Sequence, residues 1–287
     1  MPELKGSHGR PDIWYETRGR RSDPPLVLLH GFTGTHRTWD GLSERLAEGR
    51  FLIVPDLPGH GKSGVSKSRE GMGVRATAEA VAELLRTEAG GRKAALVGYS
   101  LGGRVALDLA CARQELLSRL VLEGASPGLE RADEREDRRA RDDALADEIE
   151  ARGVGWFVDH WQDTPLFATQ KGLPREVFQA VRRDRLSNSA RGLAMSLRAA
   201  GTGQMTPLWG AIGRLRIPVL MVVGERDQKY TETGEAMRAR IPGSTLEEVE
   251  GAGHCVHVEK PTEFEELVER FLDGRRVVAR AAKGRSR

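Results

Sequence analysis

The sequence predicts an α/β protein whose mostly parallel central sheet is flanked by helices, and three observations carry that prediction. Short apolar runs of buried-strand length recur at 26–29, 51–54, 94–99, 120–123 and 218–223. Helical spacing fills several of the gaps between them, and strands alternating with helices are the mark of parallel crossovers. Each run also ends in a glycine-containing loop, and open parallel sheets build their sites at the carboxyl ends of their strands.

The chain opens with 12–17, which alternates enough for an edge strand, and a charged turn at 18–23 leads through Pro24-Pro25 to the buried strand 26–29. His30-Gly31-Phe32-Thr33-Gly34-Thr35 follows, a loop suited to present the Phe32 amide to developing negative charge, with His30 orienting it. Strand 51–54 opens into Asp56-Leu57-Pro58-Gly59-His60-Gly61-Lys62-Ser63. Its last three residues imitate the end of a phosphate-binding loop, yet Asp56 stands where the first glycine should be, so nucleotide binding is rejected. Helical spacing over 77–88, through Val81, Leu84 and Leu85, stops at Gly90-Gly91.

The run 94–99 passes directly into Gly98-Tyr99-Ser100-Leu101-Gly102 and then a helix. A serine at a strand-to-helix turn sits on strained backbone, and glycines two residues to either side remove side chains that would clash there. Its hydroxyl then stands at a helix N-terminus, where the Leu101 amide is free to receive negative charge. Leu101, Val105 and Leu109, at i, i+4 and i+8, give that helix one stripe to bury. The plainer alternative is a capping serine in a glycine-rich turn.

Beyond strand 120–123 the alternation lapses. Residues 130–150 are densely charged with both signs and read as a solvated helix face, after which Trp156, Phe157, Trp161, Phe167 and Phe178 arrive close together. A helical, aromatic insertion is a candidate lid; the alternative is a helical subdomain whose aromatics are its own core. The sheet resumes at 218–223, a last strand lies near Thr245–Val249, and a helix over 262–272 closes the fold. The predicted division is a core of 1–126 and 213–274, a lid of 127–212 and a basic, disordered tail of 275–287.

Charge argues against nucleic acid. The chain has 45 basic and 42 acidic residues, but six of the basic ones and no acid fall in 275–287, leaving 39 against 42 and a net −3 for the rest. No run approaches the span of a bilayer and the start lacks a signal-peptide core, so a cytoplasmic protein without a membrane span is expected. Cys111 and Cys255 are too few for a disulfide framework and read as packed thiols.

Ser100, Asp227 and His254 each follow a predicted strand, in an order that topology can bring to one sheet edge. His254 would take the serine proton, Asp227 would hold the imidazole tautomer, and the amides of Phe32 and Leu101 would stabilise the anion. Glu225 and His257 remain as substitutes for Asp227 and His254. No metal site is expected, because no glutamate follows the histidines in a zinc-binding helical pattern. Arg104, one turn beyond Ser100, puts a guanidinium beside the cleft, unless it pairs with Asp108 or the lid; a buried cation calls for an anionic ligand.

Leu29-His30-Gly31-Phe32-Thr33-Gly34, Asp56-Leu57-Pro58-Gly59-His60-Gly61, Val97-Gly98-Tyr99-Ser100-Leu101-Gly102-Gly103-Arg104, Glu123-Gly124-Ala125-Ser126-Pro127-Gly128-Leu129, Trp161-Gln162-x-x-Pro165-Leu166-Phe167 and Gly224-Glu225-Arg226-Asp227-Gln228-Lys229-Tyr230 carry a resemblance. Over residues 12 to 273 the chain resembles the 2-succinyl-6-hydroxy-2,4-cyclohexadiene-1-carboxylate synthases of menaquinone biosynthesis, lyases on the α/β-hydrolase fold with an inserted helical lid. The resemblance implies elimination of pyruvate from 2-succinyl-5-enolpyruvyl-6-hydroxy-3-cyclohexene-1-carboxylate with no metal or organic cofactor, Ser100 acting as the base. It further implies that Arg104, Arg138 and Arg185 bind carboxylates of this small polycarboxylate, with Lys229 also at the site and Tyr99, Trp161 and Phe167 shaping the pocket. Arg135, Arg139 and Arg183 leave the register of the lid arginines open by a turn. The competing reading is a hydrolase that cleaves an ester, thioester or carbon-carbon bond through an acyl-enzyme.

Overall fold

The computed structural model describes residues 3–275, so all but the first residue of the expected basic tail lies outside the described residues. Eight strands form one sheet: β1 (Glu3–Leu4), β2 (Ile13–Arg18), β3 (Pro25–Leu29), β4 (Phe51–Pro55), β5 (Ala94–Tyr99), β6 (Leu117–Glu123), β7 (Val219–Gly224) and β8 (Thr245–Val249). Their spatial order is β1-β2-β4-β3-β5-β6-β7-β8. Only β1 with β2 and β2 with β4 run antiparallel; from β4 onward every pair is parallel.

The period of two along each strand divides the core into two layers. Val27, Leu29, Ile53, Leu96, Leu120 and Met221 face α2 (Val74–Glu88) and α3 (Leu101–Arg113), while Leu28, Val54, Val97, Val121 and Val222 face α1 (Asp40–Leu46) and α9 (Pro261–Leu272). Strands buried on both faces read as unbroken apolar runs, which is why β3 and β4 are entirely buried. Each Leu, Ile or Phe removed from water in these layers contributes about 1.5–3 kcal/mol.

Between β6 and β7 the chain leaves the sheet for α4 (Ala132–Gln162), a 3₁₀ segment (Pro165–Gly172), α5 (Arg175–Leu186) and α6 (Ala190–Ala200). The long α4 is broken at Gly153, whose φ of 84° only glycine adopts cheaply. Ala146, Ile149 and Phe157 of α4 pack on Leu193, Ala194 and Leu197 of α6, so most of the charged run is solvated but one stripe is core. Two further helices are described, α7 (Gln228–Arg238) after β7 and α8 (Val256–Glu259) after β8. Among the described residues no helix is long and apolar enough to cross a membrane.

Candidate active site

Ser100 closes β5 and opens α3 with φ 50° and ψ −105°, backbone that costs a non-glycine residue about 1–3 kcal/mol. The turn can be this tight because its neighbours lack side chains: a Cβ on Gly98 would lie 2.5 Å from the Gly102 carbonyl oxygen, and one on Gly102 only 2.3 Å from that of Leu29. The Ser100 amide donates to the Glu123 carbonyl at 2.8 Å, tying the turn to the end of β6.

Parallel strands of similar length bring the loops after β5, β7 and β8 to one edge. There the Ser100 hydroxyl donates to His254 Nε2 at 3.1 Å, and His254 Nδ1 donates to Asp227 Oδ2 at 2.6 Å. Gly124, at φ 52°, makes room for the imidazole, since a Cβ there would stand 2.8 Å from His254 Cε1. The substitutes are engaged elsewhere: the Glu225 carboxylate accepts from the Gly251 amide, and His257 Nδ1 donates to Glu123 Oε2 at 2.7 Å. Burial works against a charge on His257, but Cys255 and the Glu123 carboxylate outweigh it and push the imidazole up to about 10. Glu123, Cys255 and His257 are close enough to share a metal ion, yet the imidazole and the His257 amide are already given to Glu123.

The two amides expected to receive negative charge lie on either side of the serine. Among the described residues neither the Phe32 nor the Leu101 amide has a loop or side-chain acceptor. His30 serves the first of them: its buried Nδ1 donates to the Gly31 carbonyl at 2.8 Å and its Nε2 accepts from the Leu57 amide at 2.9 Å. Burial holds His30 below the usual imidazole range, as that neutral tautomer requires.

A cavity of about 110 Å³ opens beside Ser100. Phe32, Leu101 and Trp161 form its apolar wall; Arg104, Arg138 and Lys229 supply three cations, and no carboxylate lines it. Arg104 donates to the Ala200 carbonyl at 2.6 Å rather than to Asp108, which pairs with Arg75. Burial lowers the Arg104 guanidinium to about 10, and burial with the nearby Arg138 charge lowers Lys229. Arg138 Nε holds Asp142 at 2.8 Å, whereas Arg135 donates to the Leu129 carbonyl and Arg139 to that of Gly203, so of these three arginines of the insertion the one that reaches the cavity is Arg138.

Three residues expected on the cavity wall stand one layer behind it. Tyr99 is the last residue of β5, and strand alternation sends its ring to the opposite face, 4.8 Å from that of His257. Phe167 sits between Trp161 and His254. Arg185 is buried with its guanidinium over the Phe167 ring at 4.6 Å; Nη2 donates to Gln170 Oε1, and Nη1 has no partner among the described residues. In their place the cavity takes Tyr230, Ser196 and Thr202. Tyr230 follows Lys229 in the motif after Asp227, and its ring lies 4.5 Å from that of His254, so it was within reach of sequence reasoning; Ser196 and Thr202 carried no signal.

This fold and this site define an enzyme of the alpha/beta hydrolase fold family, whose model matches residues 24–261. More narrowly, the chain belongs to the family of 2-succinyl-6-hydroxy-2,4-cyclohexadiene-1-carboxylate synthases. It is 37% identical to a Bacillus subtilis (strain 168) protein provisionally given that name, over 88% of this chain and 92% of the relative. It is 33% identical to the Salmonella agona (strain SL483) synthase, over 85% and 91%. Among solved structures it is similar to MenH from S. aureus, with TM-score 0.87 and 34% identity over 91% of this chain and 98% of that one. A malate-bound thermophilic esterase from Thermogutta terrifontis gives TM-score 0.80 at 25% identity over 95% and 98%.

Proposed function

We propose that the chain is a lyase that eliminates pyruvate from 2-succinyl-5-enolpyruvyl-6-hydroxy-3-cyclohexene-1-carboxylate, giving 2-succinyl-6-hydroxy-2,4-cyclohexadiene-1-carboxylate in menaquinone biosynthesis. The observation that carries this reading is the cavity beside Ser100, with Arg104, Arg138 and Lys229 on its wall, no carboxylate among its lining residues and, among the described residues, only Arg138 of the three paired with one, Asp142. Such charges are costly to desolvate until an anion meets them, and a substrate with several carboxylates does so with charge-assisted bonds.

Ser100, hydrogen-bonded to His254, removes the proton next to the succinyl carbonyl and passes it to the imidazole, while Asp227 stabilises the resulting cation. Electron density moves onto the carbonyl oxygen, where the Phe32 and Leu101 amides receive it. The ring carbon-oxygen bond to the enolpyruvyl group then breaks, the new double bond forms, and the departing enolpyruvate takes up a proton to become pyruvate. Arg104, Arg138 and Lys229 hold the carboxylates, Trp161 packs on the ring, and Tyr99 and Phe167 act from behind. Arg185 contributes if the 3₁₀ segment carrying Phe167 and Gln170 shifts, since both now cover it.

A hydrolase that forms an acyl-enzyme is the second reading, favoured by the same serine-histidine bond and by the likeness to the esterase. Supplying the enolpyruvyl substrate and following pyruvate with a coupled reductase separates the two. Pyruvate release much faster than cleavage of activated esters supports the lyase, and the reverse ranking overturns it.

A further inference from the structure

The loop that carries the Phe32 amide is braced from the insertion by two residues four apart, Asp184 in the last turn of α5 and Asn188 just beyond it. Asn188 is buried; its Nδ2 donates to the Thr33 carbonyl at 2.7 Å and its Oδ1 accepts from the Gly61 amide at 2.9 Å. The Asp184 carboxylate accepts from the Thr35 amide at 3.2 Å and from the Thr38 hydroxyl at 3.1 Å. The segment between these contacts contains strained backbone, because Thr33 has φ 73°.

That strain is tied to the amide. Gly31-Phe32-Thr33-Gly34 is a turn closed by the Gly34 amide donating to the Gly31 carbonyl at 3.1 Å. Its third residue lies in the left-handed region, where glycine is the ordinary occupant. Closing the turn fixes the Gly31 carbonyl, which also accepts from His30, and planarity of the peptide then aims the Phe32 N–H the opposite way. Relaxation of Thr33 to negative φ requires the Phe32–Thr33 peptide to flip or the turn to open, and either rebuilds the backbone next to the Phe32 amide.

We infer that Asn188 is a positioning residue for the oxyanion-binding amide of Phe32, holding Thr33 in its strained conformation through the bond to its carbonyl. The insertion thereby sets the geometry of a donor that belongs to the core. This rests on the reading of Phe32 as an oxyanion donor given above, but its test does not need the enolpyruvyl substrate.

The test is the second-order rate at which a small fluorophosphonate labels Ser100 in the full chain. The Ser100 Oγ–P bond forms as the P–F bond breaks, fluoride leaves, the hydroxyl proton passes to His254, and the phosphoryl oxygen occupies the oxyanion position. Asn188→Ala is expected to label about tenfold or more slowly, since loss of an oxyanion donor costs about 100- to 1000-fold and misplacing one costs less. Adding Thr33→Gly, which removes the penalty for positive φ, is expected to restore at least a third of the logarithmic loss. Asn188→Asp keeps the size and the acceptor for Gly61 but not the donor, and serves in the same pair of measurements if Asn188→Ala does not fold. Unchanged labelling in the Asn188 variant, a loss that Thr33→Gly does not relieve, or a wild-type serine that resists the probe each overturn the inference. A wild type that labels with the expected variant pattern yet releases no pyruvate would refute the lyase reading alone.

Discussion

Replacing Arg104 by alanine separates a ligand-binding cation from a structural one, because the two roles predict opposite balances of activity and stability. Among the described residues the guanidinium makes one hydrogen bond, to the Ala200 carbonyl, and it shares its cavity with Arg138 and Lys229. Losing that bond costs about 1 kcal/mol of stability, and relief of buried like charge offsets part of it. Folded stability should therefore stay within about 1 kcal/mol of wild type. Against an anionic substrate the variant loses a charge-assisted bond of about 1.5–3 kcal/mol, or about 10- to 150-fold in kcat/KM. The assay is pyruvate release by coupled reduction, beside thermal unfolding of the same preparations. Unchanged kcat/KM, or a loss of activity matched by a collapse in Tm, would refute the argument that this arginine awaits a carboxylate.

Three further outcomes follow from the geometry. Ser100→Gly should abolish pyruvate release while unfolding at the same or a higher temperature in calorimetry, since glycine adopts φ 50° without the side-chain penalty of about 1 kcal/mol. Gly102→Ala should cost more than about 3 kcal/mol or prevent soluble expression, because its Cβ would press on backbone oxygens of β3 and the loop after it rather than on a yielding side chain; a denaturant midpoint close to wild type would contradict that. His257 is raised in the folded protein from an imidazole's usual 6.5 to about 10, so its contribution to stability is fully present below pH 6.5 and is lost as pH rises through about 10. Melting temperatures across that window should fall in the wild type and fall less in Glu123→Gln, where the raised imidazole loses its carboxylate.

The parts of the fold readable from sequence were those whose pattern is dictated by burial on both sides. β3, β4 and β7 are continuous apolar runs because nothing along them meets water, β5 departs from that only at the half-buried Ala95, and each lies where its run predicts. The helix expected at 77–88 begins at Val74 instead, since Gly73 supplies an extended entry with no side-chain cap to announce it. β1 is too short for any periodicity, and α1 too short to stand out. The loops bearing Ser100, Asp227 and His254 could be placed at one edge because β5, β7 and β8 belong to the parallel part of the sheet, whose strands share the edge at their carboxyl ends. Depth within the site was not legible. Spacing puts Arg185 on α5 and Tyr99 beside Ser100, but whether a side chain reaches a cavity depends on what stands before it, and Phe167 and the turn of strand β5 are tertiary facts. Arg138 was singled out by its match to a motif alone, since a charged helix face offers several arginines of equal periodicity.

The serine and its histidine are 154 residues apart, with the whole insertion between them. A chain emerging from the ribosome therefore presents the serine long before β7 and β8 exist to deliver an acceptor for its hydroxyl. Until the final quarter of the polypeptide packs, the exposed alcohol has the chemistry of any other serine. The serine–histidine bond thus exists only once the sheet beyond β6 is assembled.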